Sequence, residues 1–144
     1  MILVVPKTKS DFRKYYFTRW SILREPWGQK KGTEIDEFDD EAYHMMGINS
    51  HKEVLAVGRI HNIDHNIAQI RYMAVLDKYV KLGYGTKILK SLENYAISNN
   101  KSRIILNSRE NAINFYVKNG YKKIKQVDKL FNEINHWFME KEII

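Results

Sequence analysis

The sequence predicts an α/β (α+β) chain with a mixed, mostly antiparallel sheet of six to seven strands flanked by helices. Three observations carry that reading. Three strand-like segments, "AYHMMGIN" (42–49), "EVLAVGRIHNI" (53–63) and "IAQIRYMAVL" (67–76), follow one another. The turns between them are rich in Asn, Ser, His, Lys and Asp, as in an antiparallel meander. Helical apolar spacing appears on both sides of that meander. Finally, "SRIILNS" (102–108) has a continuous apolar middle, which suits a strand buried on both faces.

In chain order, "ILVV" (2–5) is a short strand stopped by Pro6. From Ser10, the residues Phe12, Tyr15, Tyr16, Arg19, Trp20 and Leu23 recur at helical spacing. "REPWGQKKG" (24–32) then breaks the helix with Pro26, Gly28 and Gly32. The meander follows, then a helix from Tyr84 to Ser98 whose apolar face carries Ile88, Leu89, Leu92, Tyr95 and Ala96. After "SRIILNS", "RENAINFYVKNG" is a short helix closed by Gly120 in a left-handed cap. "YKKIKQV" and "EINHWFMEKEI" complete the sheet, giving the order β-α-β-β-β-α-β-α-β-β.

The 144 residues suit one domain spanning 1–144, without an internal repeat or a Pro/Gly/Ser linker. There is no cysteine, which excludes disulfides, thiolate metal sites and cysteine nucleophiles. The five histidines show no ligand spacing, so no metal site is expected. The opening apolar run is too short for a signal peptide or membrane span, and a cytoplasmic protein is the default. The net charge of +7 is uneven: "EIDEFDDE" (34–41) holds six acids and no base, so the remaining chain is more basic still. Such a body could attract a polyanion and place a cationic group beside it, or both regions could be solvated surface.

"YVKLGYGTKIL" (79–89) places two glycines, Gly83 and Gly85, at the start of a helix. No Gly-Lys-Ser/Thr ending follows, so this is no Walker A loop; position 88 is Ile88, so it is no dinucleotide fingerprint. What remains is a strand, a short basic loop and a helix start. Unpaired N–H groups there form a ready anion site, and glycines let a diphosphate approach. A tight strand-helix turn would look the same. The later "RENAINFYVKNGYKKI" sets Phe115-Tyr116 four residues before Gly120-Tyr121.

Together these two stretches resemble the GNAT superfamily of acyl-CoA-dependent N-acyltransferases, over nearly the whole chain. "LREPWGQKKGTEIDE", "RYMAV" and "EINHWFM" look like a subgroup of small stand-alone bacterial members. The resemblance implies a coenzyme A diphosphate loop over Val80, Lys81, Leu82, Gly83, Tyr84, Gly85 and Thr86. Val80 and Leu82 stand where the family favours polar or basic residues. The end of "RYMAV" should splay from its neighbour, so that backbone of Met73, Ala74 and Val75 faces the pantetheine and the thioester carbonyl. An N–H aimed at the developing oxyanion is worth roughly 3–4 kcal/mol per donor in well-studied enzymes. Arg109 and Phe115 fall in the later signature as cofactor contacts, and Tyr116 matches the general acid that protonates the leaving sulfur.

The residues themselves leave alternatives. Tyr116 could simply be an aromatic on the inner face of a short helix. A proton must leave the attacking amine, and His136, which alternates with Ile134 and Phe138 on one strand face, has the right pKa range; a hydrogen-bonded core histidine would look alike. Glu34, with Asp36 and Glu37, could act as base or draw in a cationic acceptor. His61 reads as a polar turn residue, and Trp27 as either a substrate wall or a cover for the core. The expected activity is transfer of an acetyl group from acetyl-CoA, as donor substrate, to a primary amine of a small molecule or peptide, with a lean towards cationic acceptors. The alternative is a non-catalytic acyl-CoA-binding or sensor module. A nucleic-acid partner is disfavoured for lack of a recognition helix or stacking series. The chain is expected as a monomer or homodimer.

Overall fold

The computed structural model describes residues 1–144. After the short strand β1 (Ile2–Val4), helix α1 (Lys9–Leu23) starts at a capping box. Thr8 Oγ1 accepts from the Asp11 N–H at 3.0 Å, and the Asp11 carboxylate accepts from the Thr8 N–H at 3.2 Å. Pro26 lies in a 3₁₀ turn that stops α1, and Gly28 follows at φ +69°. The remaining elements are β2 (Tyr43–Ile48), β3 (Val54–Asn62), β4 (Ile67–Val75), α2 (Tyr84–Ser98), β5 (Arg103–Arg109), α3 (Ile113–Lys118), β6 (Lys122–Leu130) and β7 (Ile134–Glu142). This is the expected order, and Gly120 holds the left-handed cap at φ +93°.

One seven-stranded sheet runs β1-β2-β3-β4-β5-β7-β6, and only β4 and β5 are parallel. Helix α2 packs on one face over Ala56, Ile60, Ile70, Ile104 and Leu106. Helix α1 covers the other over Val57, Tyr72 and Ala74. Consecutive β3 residues therefore serve opposite layers, as the two-residue strand period requires. Gly58 sits where α2 comes closest: a Cβ there would lie 2.6 Å from Ile88 Cγ2. The rim strand β6 is almost wholly exposed and carries Lys122, Lys123, Lys125 and Lys129.

Opposite Gly58, β4 contains a bulge. Val57 pairs with Ala74 but Arg59 pairs with Arg71, so Tyr72 and Met73 together face one residue of β3. Tyr72 takes up the extra length at φ +59°, a conformation that a bulky side chain seldom adopts.

The acidic run is not the free patch that composition suggests. Asp39 is buried, with Oδ1 2.9 Å from Arg19 NH1 and 3.3 Å from Arg59 NH1. Asp36 accepts from Arg59 and from Arg71, the latter at 2.7 Å. Burial would raise the Asp36 pKa, but the Arg59 hydrogen bond, the Phe38 N–H and the charges of Arg59 and Arg71 win and hold it at about 2. His61 is not a turn residue either: it is buried on β3, its Nδ1 3.0 Å from Arg59 NH2. Burial and then Arg59 depress its pKa to about 4, so it is neutral near pH 7.

Arg19 and Arg59 are both fully buried, so their carboxylate partners are indispensable. Removing one partner of a buried pair strands the other charge and typically costs about 3–5 kcal/mol. Asp39→Ala should therefore lose about that much in urea unfolding, whereas Glu37→Ala, at an exposed position of the same run, should change little.

Candidate active site

β4 and β5 share only three residue pairs, Ile67 with Arg103, Ala68 with Ile104 and Gln69 with Ile105. Beyond them, β4 stays with β3 as far as Val75, and β5 stays with β7 as far as Arg109. The two halves of the sheet thus part, and a cleft of about 800 Å³ passes between them. Met73, Ala74 and Val75 line one wall, and Leu106, Ser108 and Arg109 the other. The β4 backbone along this wall has no strand partner on the cleft side. The splayed end of "RYMAV" is therefore present.

On the α2 side, Val80 lines the mouth and the loop leads into α2. Gly83 is the N-cap at φ +83°, and no side chain caps this end. The first bond of the helix is from Lys87 N–H to Gly83 O, so the N–H groups of Tyr84, Gly85 and Thr86 are left for an anion. Lys81, itself at φ +65°, and Leu82 are exposed beside them. The two glycines serve different needs. Gly83 supplies the left-handed turn, with open space where its Cβ would be. A Cβ at Gly85 would sit 3.3 Å from Phe115 Cζ and 3.6 Å from Val75 Cγ2. Phe115 is thus a prop that seats the first turn of α2, and it is absent from the cleft wall. The free amides, the small residues and the open slot suit the diphosphate and pantetheine arm of coenzyme A.

Tyr116 and His136 both reach the cleft. Tyr116 is buried on α3, its ring edge-on to Phe115 and Tyr121. Burial alone pushes its pKa well above the usual phenol value, so it stays protonated. His136 pairs with Arg109 across β5 and β7, and its Nδ1 lies 3.0 Å from Ile134 O. That contact assigns the proton to Nδ1 and leaves Nε2 with a lone pair. Burial lowers the His136 pKa, and Arg109, Arg24 and Arg71 push the same way against the Ile134 bond.

Two expected site residues lie elsewhere, and Arg109 keeps its place but not its expected contact. Glu34 is buried in the loop after α1, where its carboxylate accepts the Gly32 N–H at 2.7 Å and its carbonyl accepts from Arg19; it does not line the cleft. Trp27 is exposed on the 3₁₀ turn and also lies outside it. Arg109 lines the cleft, but its guanidinium turns to the α1 side, where NH2 donates to Leu23 O at 2.9 Å. Conversely, Arg24 and Arg71 line the cleft, and the sequence pattern carries no signal for either. In the sequence Arg24 only opens a helix-breaking loop, and nothing in the linear pattern places it beside Arg109.

The family model described as "Acetyltransferase (GNAT) family" matches residues 9–121. The chain belongs to the GNAT acetyltransferase family. An uncharacterized N-acetyltransferase of Bacillus subtilis (strain 168), YjcF, is 28% identical over 142 residues, covering 99% of this chain and all of that protein. Among solved structures, an aminoglycoside 6'-N-acetyltransferase complexed with coenzyme A superposes with a TM-score of 0.83 at 14% identity, covering 100% of this chain and 98% of that one. Escherichia coli ElaA gives 0.80 at 17% identity, covering 98% and 97%. The overall fold is thus shared at low identity. No helix of this GNAT chain is long and apolar enough to cross a membrane.

Because alanine at φ +83° is strained by roughly 1–2 kcal/mol, Gly83→Ala should relax the loop and misdirect its amides. Calorimetric titration with coenzyme A should then show affinity weakened by about tenfold, with the wild-type melting temperature nearly kept.

Proposed function

We propose that this chain is an N-acetyltransferase that moves an acetyl group from acetyl-CoA to a primary amine by direct attack within a ternary complex. The observation that carries this is a single cleft through the sheet holding a neutral imidazole and a protonated phenol with no hydrogen-bond partner of its own. Acetyl-CoA supplies the activated acyl group. The amides of Tyr84, Gly85 and Thr86 hold its diphosphate, with Lys81 adding charge at the rim. The open β4 edge at Met73, Ala74 and Val75 receives the pantetheine arm. His136 Nε2 takes the proton that leaves the amine, and the Tyr116 hydroxyl gives one to the departing sulfur. The two protons balance, and no metal is required for either.

A second reading has one observation behind it. Val80 and Leu82 are exposed apolar residues, 47% and 58% accessible, where a charged contact to the diphosphate would help. A non-catalytic acyl-CoA-binding module would tolerate that loss; turnover of any amine removes it.

Proton donors and acceptors of this kind typically contribute 10²–10⁴-fold. Tyr116→Phe should lower kcat by roughly 10²-fold or more while calorimetry still detects acetyl-CoA binding; normal turnover would remove Tyr116 as the acid. For His136, the neutral form is the active base, so kcat at saturating substrates should fall as pH drops through its folded pKa. That acid limb should lie below 6.5, since the site depresses the imidazole pKa. His136→Gln should abolish the limb together with most of the rate, as followed by coenzyme A release across pH 5–8.

A further inference from the structure

The α1 side of the cleft is built from cations without matching acids. Arg24, the residue that closes α1, is 5% exposed. Its Nε donates to Thr33 O at 3.1 Å and its NH1 to Leu23 O at 3.1 Å. Arg109 reaches the same oxygen from β5, with NH2 2.9 Å from Leu23 O. Two guanidinium groups from distant parts of the chain are therefore clamped on one carbonyl. Neither makes an ion pair, in contrast to Arg19, Arg59 and Arg71. Arg24 NH2 and Arg109 Nε and NH1 bond no backbone group or carboxylate, the Tyr72 side chain being the other polar neighbour of Arg24, and both residues line the cleft.

The surroundings do not neutralise them. Arg71 also lines the cleft, but it already holds Asp36. Lys129 adds a positive charge and His136 is neutral. Of the two lining carboxylates, Asp77 belongs to the turn after β4 that leads to the cofactor loop, and Asp128 on β6 is exposed and pairs with no arginine. Burial, and then the neighbouring Arg24, bring the Arg109 pKa down to about 10. Capping the last carbonyls of α1 accounts for one guanidinium; a second, half-buried and held against it, is left without a structural task. Arginine forks with free donors in a partly dry site match the oxygens of a carboxylate or phosphoryl group.

We propose that the acetyl acceptor carries an anionic oxyacid group, a carboxylate or a phosphoryl, which Arg24 and Arg109 grip on the α1 side while its amine faces His136. This deepens the acetyltransferase reading and rests on it for the amine. It reverses the lean towards cationic acceptors, because Asp36 and Asp39 are held by Arg19, Arg59 and Arg71 and no acid of the 34–41 run lines the cleft. A polycation such as an aminoglycoside would be repelled here.

The test has a binding arm and a turnover arm. In protein saturated with coenzyme A, inorganic phosphate and succinate are titrated separately while the melting temperature is followed. At least one should stabilise the wild type and do so far less in Arg109→Gln, with Arg109→Lys between them; the anion that works separates phosphoryl from carboxylate. Equal shifts in wild type and Arg109→Gln, or none with either anion, would overturn the proposal without reference to activity. For turnover, amines are compared in pairs: glycine with glycinamide, phosphoethanolamine with ethanolamine, and spermidine as the polycation. The anionic member of at least one pair should have the higher kcat/KM. Losing one charged hydrogen-bond partner should reduce that preference on the order of 10²-fold in Arg109→Gln, mostly through KM. Preference for spermidine or the uncharged members would refute it. Failure of coenzyme A itself to bind would count against the acetyltransferase reading, while phosphate and succinate, titrated then into the free protein, would still decide the arginine pair.

Discussion

Everything functional in this molecule depends on β4 and β5 letting go of each other after three residue pairs. A sheet interior normally satisfies its backbone across every strand, and an abandoned edge in a core is costly unless a ligand or water takes over. Here each strand keeps its outer neighbour, β3 for one and β7 for the other. The unpaired edges therefore lie only along the slot. The bulge at Tyr72 bends β4 at the point of parting, and Gly58 lets the opposite face close against Ile88. A slot made this way connects the layer under α2, where the free amides lie, to the layer under α1, where the arginines lie. In the proposed reaction, donor and acceptor would arrive from opposite faces and meet in the plane of the sheet.

The bulge is braced by charge. Around the Tyr72 ring stand Arg19 at 4.2 Å, Arg71 at 4.6 Å, Arg59 at 5.0 Å and Arg24 at 5.4 Å from its centroid. Cation–π attraction to one ring face is modest, and four like charges repel. The assembly holds because Asp36 and Asp39 enter from the loop after α1 and because the Tyr15 hydroxyl accepts from Arg19 NH2 at 2.9 Å. Asp39 also positions His44, whose Nε2 lies 2.8 Å from the Asp39 carbonyl. A stretch that looks like solvated acidic surface is the keystone of the α1 layer.

The sequence and the structure agree where period decides. Most of the seven strands and three helices are legible because apolar residues recur at two or at 3.6, β5 by its continuous apolar run, and Gly120 marks its own cap. The loop and helix start at Gly83 and Gly85 are legible, although only one of the two glycines is there for its backbone angles. Legibility fails where meaning comes from distant partners. Glu34 looks like any exposed acid until Gly32 and Arg19 fold onto it. Tyr72 carries a left-handed angle that no propensity assigns to tyrosine, and it follows from the slip in pairing with β3. Arg24 and Arg109 acquire a joint role only because α1 and β5 end at the same place. Periodicity encodes layers; the site is encoded in where the layers end.

The lysines of β6 bear on how this molecule meets its own kind. That rim ends the sheet with unused backbone donors and acceptors, which would template a further strand from another copy. A row of ammonium groups brought against its own image is repulsive and hydrated, so zipper-like growth along that side is blocked. Resistance to fibrous aggregation is thereby written into the most solvent-washed strand, at no expense to the split on which its chemistry relies.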